Sequence, residues 1–145
     1  LIKEALMDAL QGPGAPSSRR LSDASFSVLF ALARQLLAVG SAVILEGNFR
    51  PGEHAAQVIA LIDAHRGLQV TQILCRVDEP TRLQRLEQRR LTGARHPGHE
   101  DASAAVIADR TANHFLEVPG ARLQQEGNDT QALLEALDAR LPPRR

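Results

Sequence analysis

A chain of 145 residues with 43% hydrophobic and 23% charged residues has the length and composition of one globular domain with a sizeable core. Seventeen basic side chains balance seventeen acidic ones, and this zero net charge argues against binding to bulk nucleic acid or to a membrane surface. A single cysteine, Cys75, excludes an internal disulfide, and no apolar run approaches the roughly 20 residues of a membrane span, so a cytoplasmic protein is expected.

Two helices and a strand are predicted in the first third of the chain. Residues 1–10 read as a short helix with no cap before it, which indicates a missing upstream segment. Ser22 or Asp23 can cap a second helix that runs to about Val39, and the broad apolar stripe of this helix predicts that it is largely buried. The apolar run at 42–45 predicts a strand that is buried on both faces, as in a parallel sheet.

The rest of the chain continues the alternation of helices and strands. The predicted elements are a helix from Pro51, a strand at 70–77 with Cys75 in the core, a helix capped by Asp78, a helix capped by Asp101, a polar strand at 122–125 and a helix over 130–141. This order implies right-handed crossovers and a three-layer α/β fold with a parallel sheet, in a single domain over 1–145.

Arginines concentrate in the fourth predicted helix and in the loop after it. Arg82, Arg85 and Arg89 recur on one helical face, and Arg90 and Arg95 follow them. A guanidinium forms bidentate hydrogen bonds to phosphate oxygens, so converging arginines can stabilise a phosphoryl group during transfer. The alternative is a solvated helix face, which composition alone favours.

The loop at 92–100 shifts this balance towards a ligand site. It joins two predicted helices and contains glycine and proline hinge residues, as expected of a lid that closes over a ligand. Its histidines, His96 and His99, can donate hydrogen bonds to phosphate or order the loop. A metal site is disfavoured there because no cysteine or third histidine lies nearby. The segment at about 85–101 is therefore interpreted as a lid.

A second candidate group follows the strand predicted at 42–45. Glu46 would lie at the carboxyl end of that strand, at the edge where open α/β sheets bind ligands. A carboxylate there can hold Mg²⁺ through water or orient an acceptor hydroxyl, and Asn48 and Arg50 would face the same cleft. The alternative is a polar strand end with local hydrogen bonds. The other histidines are interpreted as surface or helix-end residues: His54, His65 and His114.

Taken together, these segments resemble a family of small P-loop kinases. The residues IKEAL near the N-terminus, VILEGNF around Glu46, the arginine-bearing helix and GARHPGH in the loop carry the likeness. The family is that of AAA-type ATPase-like kinases related to chloramphenicol phosphotransferase, the zeta toxins and polynucleotide kinase domains. The resemblance covers 1 to about 141. It implies a P-loop nucleoside-triphosphate hydrolase fold in which ATP, with Mg²⁺, phosphorylates a hydroxyl of a small molecule.

The resemblance also implies roles for individual residues. Glu46, Arg90 and Arg95 would be catalytic. The residues that would bind the nucleotide are Arg85, Arg89, His96, His99, Asn128, Asp129 and Thr130. Those that would bind the acceptor are Lys3, Asn48 and Arg50. No residue is expected to be a direct metal ligand.

The chain departs from the family at its start. The family begins with a strand, a GxxxxGKS/T loop and a helix, which hold the β- and γ-phosphates, and no such motif occurs in these 145 residues. In the family that strand lies between the two that 42–45 and 70–77 would form. We therefore expect an N-terminally incomplete kinase domain that has no turnover of its own. Two alternatives stay open: a non-catalytic binding or regulatory module, and a zeta-toxin-like kinase that acts on a sugar nucleotide.

Overall fold

The computed structural model describes residues 2–10, 16–92, 114–127 and 130–140. Its elements are α1 (Ile2–Ala9), α2 (Ser18–Ala38), α3 (Pro51–Ala64), β1 (Thr71–Arg76), α4 (Glu79–Thr92), β2 (Ala121–Glu126) and α5 (Thr130–Asp138). β1 and β2 pair in parallel over their full lengths, from Thr71 opposite Ala121 to Arg76 opposite Glu126. The described chain is thus a mixed α/β fold with a parallel sheet, and the strands predicted at 70–77 and 122–125 are confirmed.

The core lies between α2 and α3. Phe30 and Ala33 of α2 pack with Leu61 of α3, and each of these residues is at most 5% exposed. Partly buried side chains surround this cluster: Phe26, Leu37, Val43, Leu45, Phe49, Val58 and Leu68. Burial of this apolar surface is what joins the two helices to the segment at 43–49.

The segment before β2 is fixed to β1 by one amide side chain. Gln72 accepts the backbone N–H of Leu116 at 2.8 Å and donates to the carbonyl of Leu116 at 3.2 Å. Leu116, Val118 and Leu123 are buried beside this contact. The two hydrogen bonds of the Gln72 side chain satisfy both backbone groups of Leu116. The position of the segment before β2 is therefore set by a residue of β1.

The strand predicted at 42–45 does not form in the described structure. Val43 and Leu45 face the core, whereas Ile44 is 97% exposed, so the segment keeps the period-two alternation of a strand. Among the described residues, β1 pairs with β2 alone, and 42–45 has no strand beside it to complete a ladder. The prediction of a strand buried on both faces is therefore wrong, because only one face is covered and no backbone partner is present in the described ranges.

Cys75 was predicted in the core and is exposed. The reason is the alternation along β1, where Gln72 and Leu74 are half-buried and the intervening side chains, including Ile73, face outwards. Cys75 shares the outward face of β1. The apolar run in the sequence therefore marks a strand with one covered face, and the segment at 42–45 likewise has only one covered face.

The N-cap of α2 lies five residues before Ser22 and six before Asp23, the two predicted caps. Ser17 is the N-cap, and its side chain accepts the backbone N–H of Arg20 at 3.4 Å. Asp23 instead lies inside the helix, where it forms an i,i+4 ion pair with Arg19 at 3.2 Å. Serine and aspartate can both cap a helix, and Ser17 takes that position.

α2 is also less buried than its apolar stripe predicts. Val28, Leu32 and Leu36 recur every four residues and are all exposed. By length and composition alone α2 could cross a membrane, since it has 21 residues and contains an 18-residue window with a mean hydropathy of 1.2. Phe30 and Ala33, however, lie against α3 in the core, as in a core helix of a globular fold. The exposed stripe is a second apolar surface on this helix.

Asp78 caps α4 as predicted. Its Oδ1 accepts the backbone N–H of Thr81 at 2.9 Å, and its Oδ2 accepts the hydroxyl of Thr81 at 2.8 Å. These hydrogen bonds, the backbone one first, hold the pKa of Asp78 below its ordinary value of 3.8. The carboxylate therefore orients the start of the arginine-bearing helix while it is ionised.

Candidate functional site

The loop at 46–50 leads from the core into α3, and aromatic packing anchors it. Phe49 lies edge-on to Phe26, with ring centroids 5.3 Å apart, and also contacts Phe30 at 6.2 Å. Gly47 lies so close to the Phe26 ring that an added Cβ would be 3.2 Å from the ring edge. Gly47 and the ring of Phe49, which flank Asn48 in the chain, therefore hold the loop backbone against α2.

His54 supplies a further anchor, from within α3. Its Nδ1 accepts the backbone N–H of Arg50 at 2.8 Å, and its ring lies 3.9 Å from the ring of Phe26. The side chain is 5% exposed, so the prediction of a surface position is wrong for His54, although the residue does lie near the end of a helix, in the first turn of α3. The sequence carries no local signal for this burial, because the covering ring of Phe26 comes from 28 positions earlier in the chain.

Glu46 and Asn48 project from this anchored loop into solvent. Both are exposed, and neither forms a hydrogen bond or an ion pair with any residue that the structure describes. The polar strand end with local hydrogen bonds, which was the alternative for Glu46, is therefore not what the described structure contains. A carboxylate and an amide on a fixed backbone are free to contact a solute.

Arg50 is tied to α2 through Glu53. The Glu53 carboxylate accepts from Arg50 at 3.3 Å on one oxygen and from Arg19 at 3.1 Å on the other. Desolvation acts to raise the pKa of Glu53, but the hydrogen bonds and charges of Arg19 and Arg50 together lower it. The hydrogen bond to Glu53, followed by the charges of Asp23 and Glu53, raises the pKa of Arg19. The two guanidiniums are thus held on either side of one carboxylate.

Lys3 joins the same end of the molecule through α1. Its Nζ donates to the hydroxyl of Ser18 at 2.8 Å, next to Arg19 in the chain. Contacts therefore link two of the predicted acceptor-binding residues, Lys3 and Arg50, through the first turns of α2 and α3. Arg19 was missed by sequence reasoning, since its pairing with Glu53 spans 34 positions and has no local signature.

The predicted lid lies only partly within the described residues. Arg85 and Arg89 are exposed on α4, at the i and i+4 spacing of one helical face, and the backbone of Arg90 belongs to the same helix. Five of the predicted lid and nucleotide-binding residues lie outside the described residues: Arg95, His96, His99, Asn128 and Asp129. Thr130 is the first residue of α5. The nucleotide-binding role of these residues stays a prediction.

A shallow groove of about 260 Å³ lies between β2 and α5. Leu123, Gln125, Leu133 and Ala136 are among the side chains that line it. The groove is open and mainly apolar. Within the part of the chain that the structure describes, no group of three or more His, Cys, Asp or Glu side chains is placed to hold a metal ion.

Comparison with known proteins gives one informative similarity. No family model matches the chain, and no curated protein gives a significant match. A solved structure from Chloroflexus aurantiacus J-10-fl, provisionally described as a kinase, matches with a TM-score of 0.81 and 25% sequence identity. The match covers 97% of this chain and 80% of that one. The α/β architecture described above therefore has a kinase-like counterpart.

Proposed function

We propose that the chain is part of a cytoplasmic kinase that transfers the γ-phosphate of ATP to a hydroxyl of a small molecule. The observation that carries the proposal is Glu46, an exposed carboxylate with no partner among the described residues, on a loop fixed from three sides. A carboxylate so placed can accept the proton of an acceptor hydroxyl as the oxygen attacks phosphorus. The structural match to a protein provisionally described as a kinase supports this chemistry.

Acceptor binding is assigned to the end of the molecule that carries Lys3, Asn48 and Arg50. The contacts through Ser18 and Glu53 link Lys3 and Arg50 through the first turns of α2 and α3. Asn48 and Arg50 follow Glu46 closely in the chain. When bound, Mg²⁺ would neutralise charge on the ATP phosphates. A lone exposed carboxylate fits contact with that ion through water, as proposed for Glu46, because direct coordination needs several oxygen ligands.

Nucleotide binding is assigned to the other groups that the sequence singles out. Arg85 and Arg89 would contact phosphate from α4, together with Arg90, and the lid would add Arg95, His96 and His99. The loop and cap at 128–130, with Asn128, Asp129 and Thr130, would lie beside the adenine. The exposure of Arg85 and Arg89 on α4 supports this assignment, since a ligand can approach that face of the helix from solvent.

The proposal includes a P-loop fold whose phosphate-binding strand and loop are not among these 145 residues. A further strand between 42–45 and β1 is supported by the segment 42–45, whose side chains alternate as in a strand but which has no strand partner among the described residues. The outward side chains of Ile44, which is 97% exposed, and of Ile73 fit a covering layer on the second face of such a sheet. Parallel sheets are normally covered on both faces, and a two-stranded sheet is marginal by itself, so a further strand would complete this one.

The test of the proposal is turnover of ATP. The 145-residue chain should give no transfer above background. The chain extended by an upstream coding segment with a GxxxxGKS/T motif should transfer phosphate from labelled ATP in a screen of small hydroxyl compounds. Enzyme-like turnover by the 145 residues alone would contradict the missing phosphate loop. A stop codon immediately upstream would favour the alternative, a binding or regulatory module without catalysis.

In the active, extended protein, Glu46→Gln should lower kcat by about 10²–10⁴, the range for loss of a general base, with the melting temperature almost unchanged. The melting temperature should hold because Glu46 is exposed and makes no contact with the described residues. Asp63→Asn, a change at an exposed carboxylate of α3, is the matched control and should leave kcat unaltered. An unchanged kcat in Glu46→Gln would remove Glu46 from the mechanism.

The proposed role of the lid has its own test. An unchanged rate in Arg95→Ala would remove this arginine from the mechanism.

A further inference from the structure

His54 combines burial with a hydrogen bond that only one of its protonation states can make. The side chain is 5% exposed, and its Nδ1 accepts the backbone N–H of Arg50 at 2.8 Å. Its ring is tilted by 32° on the ring of Phe26 and stands nearly perpendicular to that of Phe49, at 5.8 Å. The imidazole of His54 therefore links the first turn of α3 to the loop backbone at Arg50, in addition to packing in the core.

The hydrogen bond fixes the tautomer of His54. An imidazole nitrogen that accepts a hydrogen bond carries no proton, so the neutral ring holds its proton on Nε2. Protonation of the ring would place an N–H on Nδ1, directly opposite the N–H of Arg50. Two donors cannot bond to one another, and the link between α3 and the loop would be lost.

Charges on three elements act on this imidazole. Burial, the largest effect, lowers the pKa of His54 below its ordinary value of 6.5. The carboxylate of Glu53 on α3 acts in the opposite direction, while Arg50 in the loop and Arg19 on α2 add to the lowering. The ring is therefore neutral around pH 7, which is the state that the hydrogen bond requires.

We propose that His54 is a positioning residue, which holds the loop at 46–50, and with it Glu46, through an unprotonated Nδ1. Glu46 itself has no partner among the described residues, so the path of the backbone decides where its carboxylate lies. That path is set at Gly47 by the Phe26 ring, at Phe49 by the core, and at Arg50 by His54. The role in catalysis rests on the proposed function, whereas the link between His54 and the loop does not.

The link is tested by NMR on the 145-residue chain. The nitrogen shifts of His54 should report the Nε2–H tautomer, and the amide signals of Gly47 and Asn48 should titrate together with the ring, at a pH below 6.5. His54→Phe keeps an aromatic ring but removes the acceptor, and should speed hydrogen exchange at the Arg50 amide by about tenfold. His54→Asn restores an acceptor near the Nδ1 position and should slow that exchange again.

Stability should depend on pH in a direction set by this group. Because the folded-state pKa of His54 lies below that of the unfolded chain, the unfolded state binds more protons between the two values. Stability is therefore complete above about pH 6.5 and falls as the pH drops from there towards the folded-state pKa. His54→Phe should lose this dependence on pH.

Three results would overturn the inference: an Nδ1–H tautomer, an Arg50 amide that exchanges no faster in His54→Phe, or no recovery in His54→Asn. Should His54→Phe fail to fold, the tautomer of the native chain and the exchange rate in His54→Asn decide the matter. In the extended, active protein, His54→Phe should lower kcat without changing KM for ATP, and an unchanged kcat would refute the positioning role. An extended protein with no activity at all would refute the proposed function. The link between His54 and the loop would then be decided by the NMR experiment alone.

Discussion

Replacement of Gly120 by alanine is expected to destabilise the fold by about 2–4 kcal/mol, as backbone strain and a main-chain clash act together. Gly120 has a φ of +131°, which side-chain-bearing residues rarely adopt, and an added Cβ would overlap the carbonyl oxygen of Val70. The same carbonyl accepts the N–H of Ala121 at 2.9 Å, next to the first paired residues of β1 and β2. Relief of the clash would therefore pull apart the start of the sheet.

A matched control separates the clash from the strain. Gly127, at the other end of β2, has a φ of +64° and nothing within 4 Å of an added Cβ. Gly127→Ala should therefore cost only about 1 kcal/mol, the cost of a left-handed backbone at a residue other than glycine.

The two variants are compared by their midpoints of urea unfolding, with the slope of the unfolding free energy against urea concentration held equal. Unfolding is detected by far-UV circular dichroism because the chain has no Trp or Tyr to report by fluorescence. Equal midpoints for Gly120→Ala and Gly127→Ala would show that the Val70 carbonyl can move aside without loss.

Features that depend on neighbouring residues in the chain could be predicted from the sequence. Asp78 and Thr81 form the cap of α4 because both partners lie within one turn of helix. Pro51 is at the start of α3, where its fixed φ and missing N–H suit the first turn. The turn at Pro119 and Gly120 precedes β2 for the same kind of local reason. In each case the physical cause lies within a few residues.

Features that depend on tertiary neighbours could not be predicted in this way. The run at 42–45 has the apolar content of a strand, but a strand also needs a hydrogen-bonding partner, and the sequence of one segment does not contain that information. Cys75 was predicted to be buried and is exposed, whereas His54 was predicted at the surface and is buried. Cys75 lies on the outward face of β1, while the rings of Phe26 and Phe49 cover His54.

In the candidate site, too, some residues could be identified from the sequence and others could not. Glu46, Asn48 and Arg50 were identified because they follow an apolar run, and the structure places them together on one loop. The groups that hold this loop in place, His54 and the Arg19–Glu53 pair, come from helices distant in sequence or carry no motif. Sequence patterns of this kind identify candidate polar residues on a loop more readily than the residues that orient the loop.

Phe30→Ala should lower the free energy of unfolding by about 3–5 kcal/mol, the cost of removing a buried aromatic ring and leaving a cavity. Phe30 is 5% exposed, and it contacts Ala33, Leu61 and the ring of Phe49 at 6.2 Å. The total stability of a domain of this size is about 5–15 kcal/mol, so this single change removes a large part of it. The midpoint of urea unfolding should shift accordingly.

Leu32→Ala on the same helix is the control, because Leu32 is 53% exposed and should cost less than about 1 kcal/mol. The pair of variants also tests how α2 is used, since its length and composition alone would allow a membrane span. A core helix gives a large loss at Phe30 and a small one at Leu32. Equal losses would mean that both faces of α2 are buried, and the stripe at Val28, Leu32 and Leu36 would then be a contact surface.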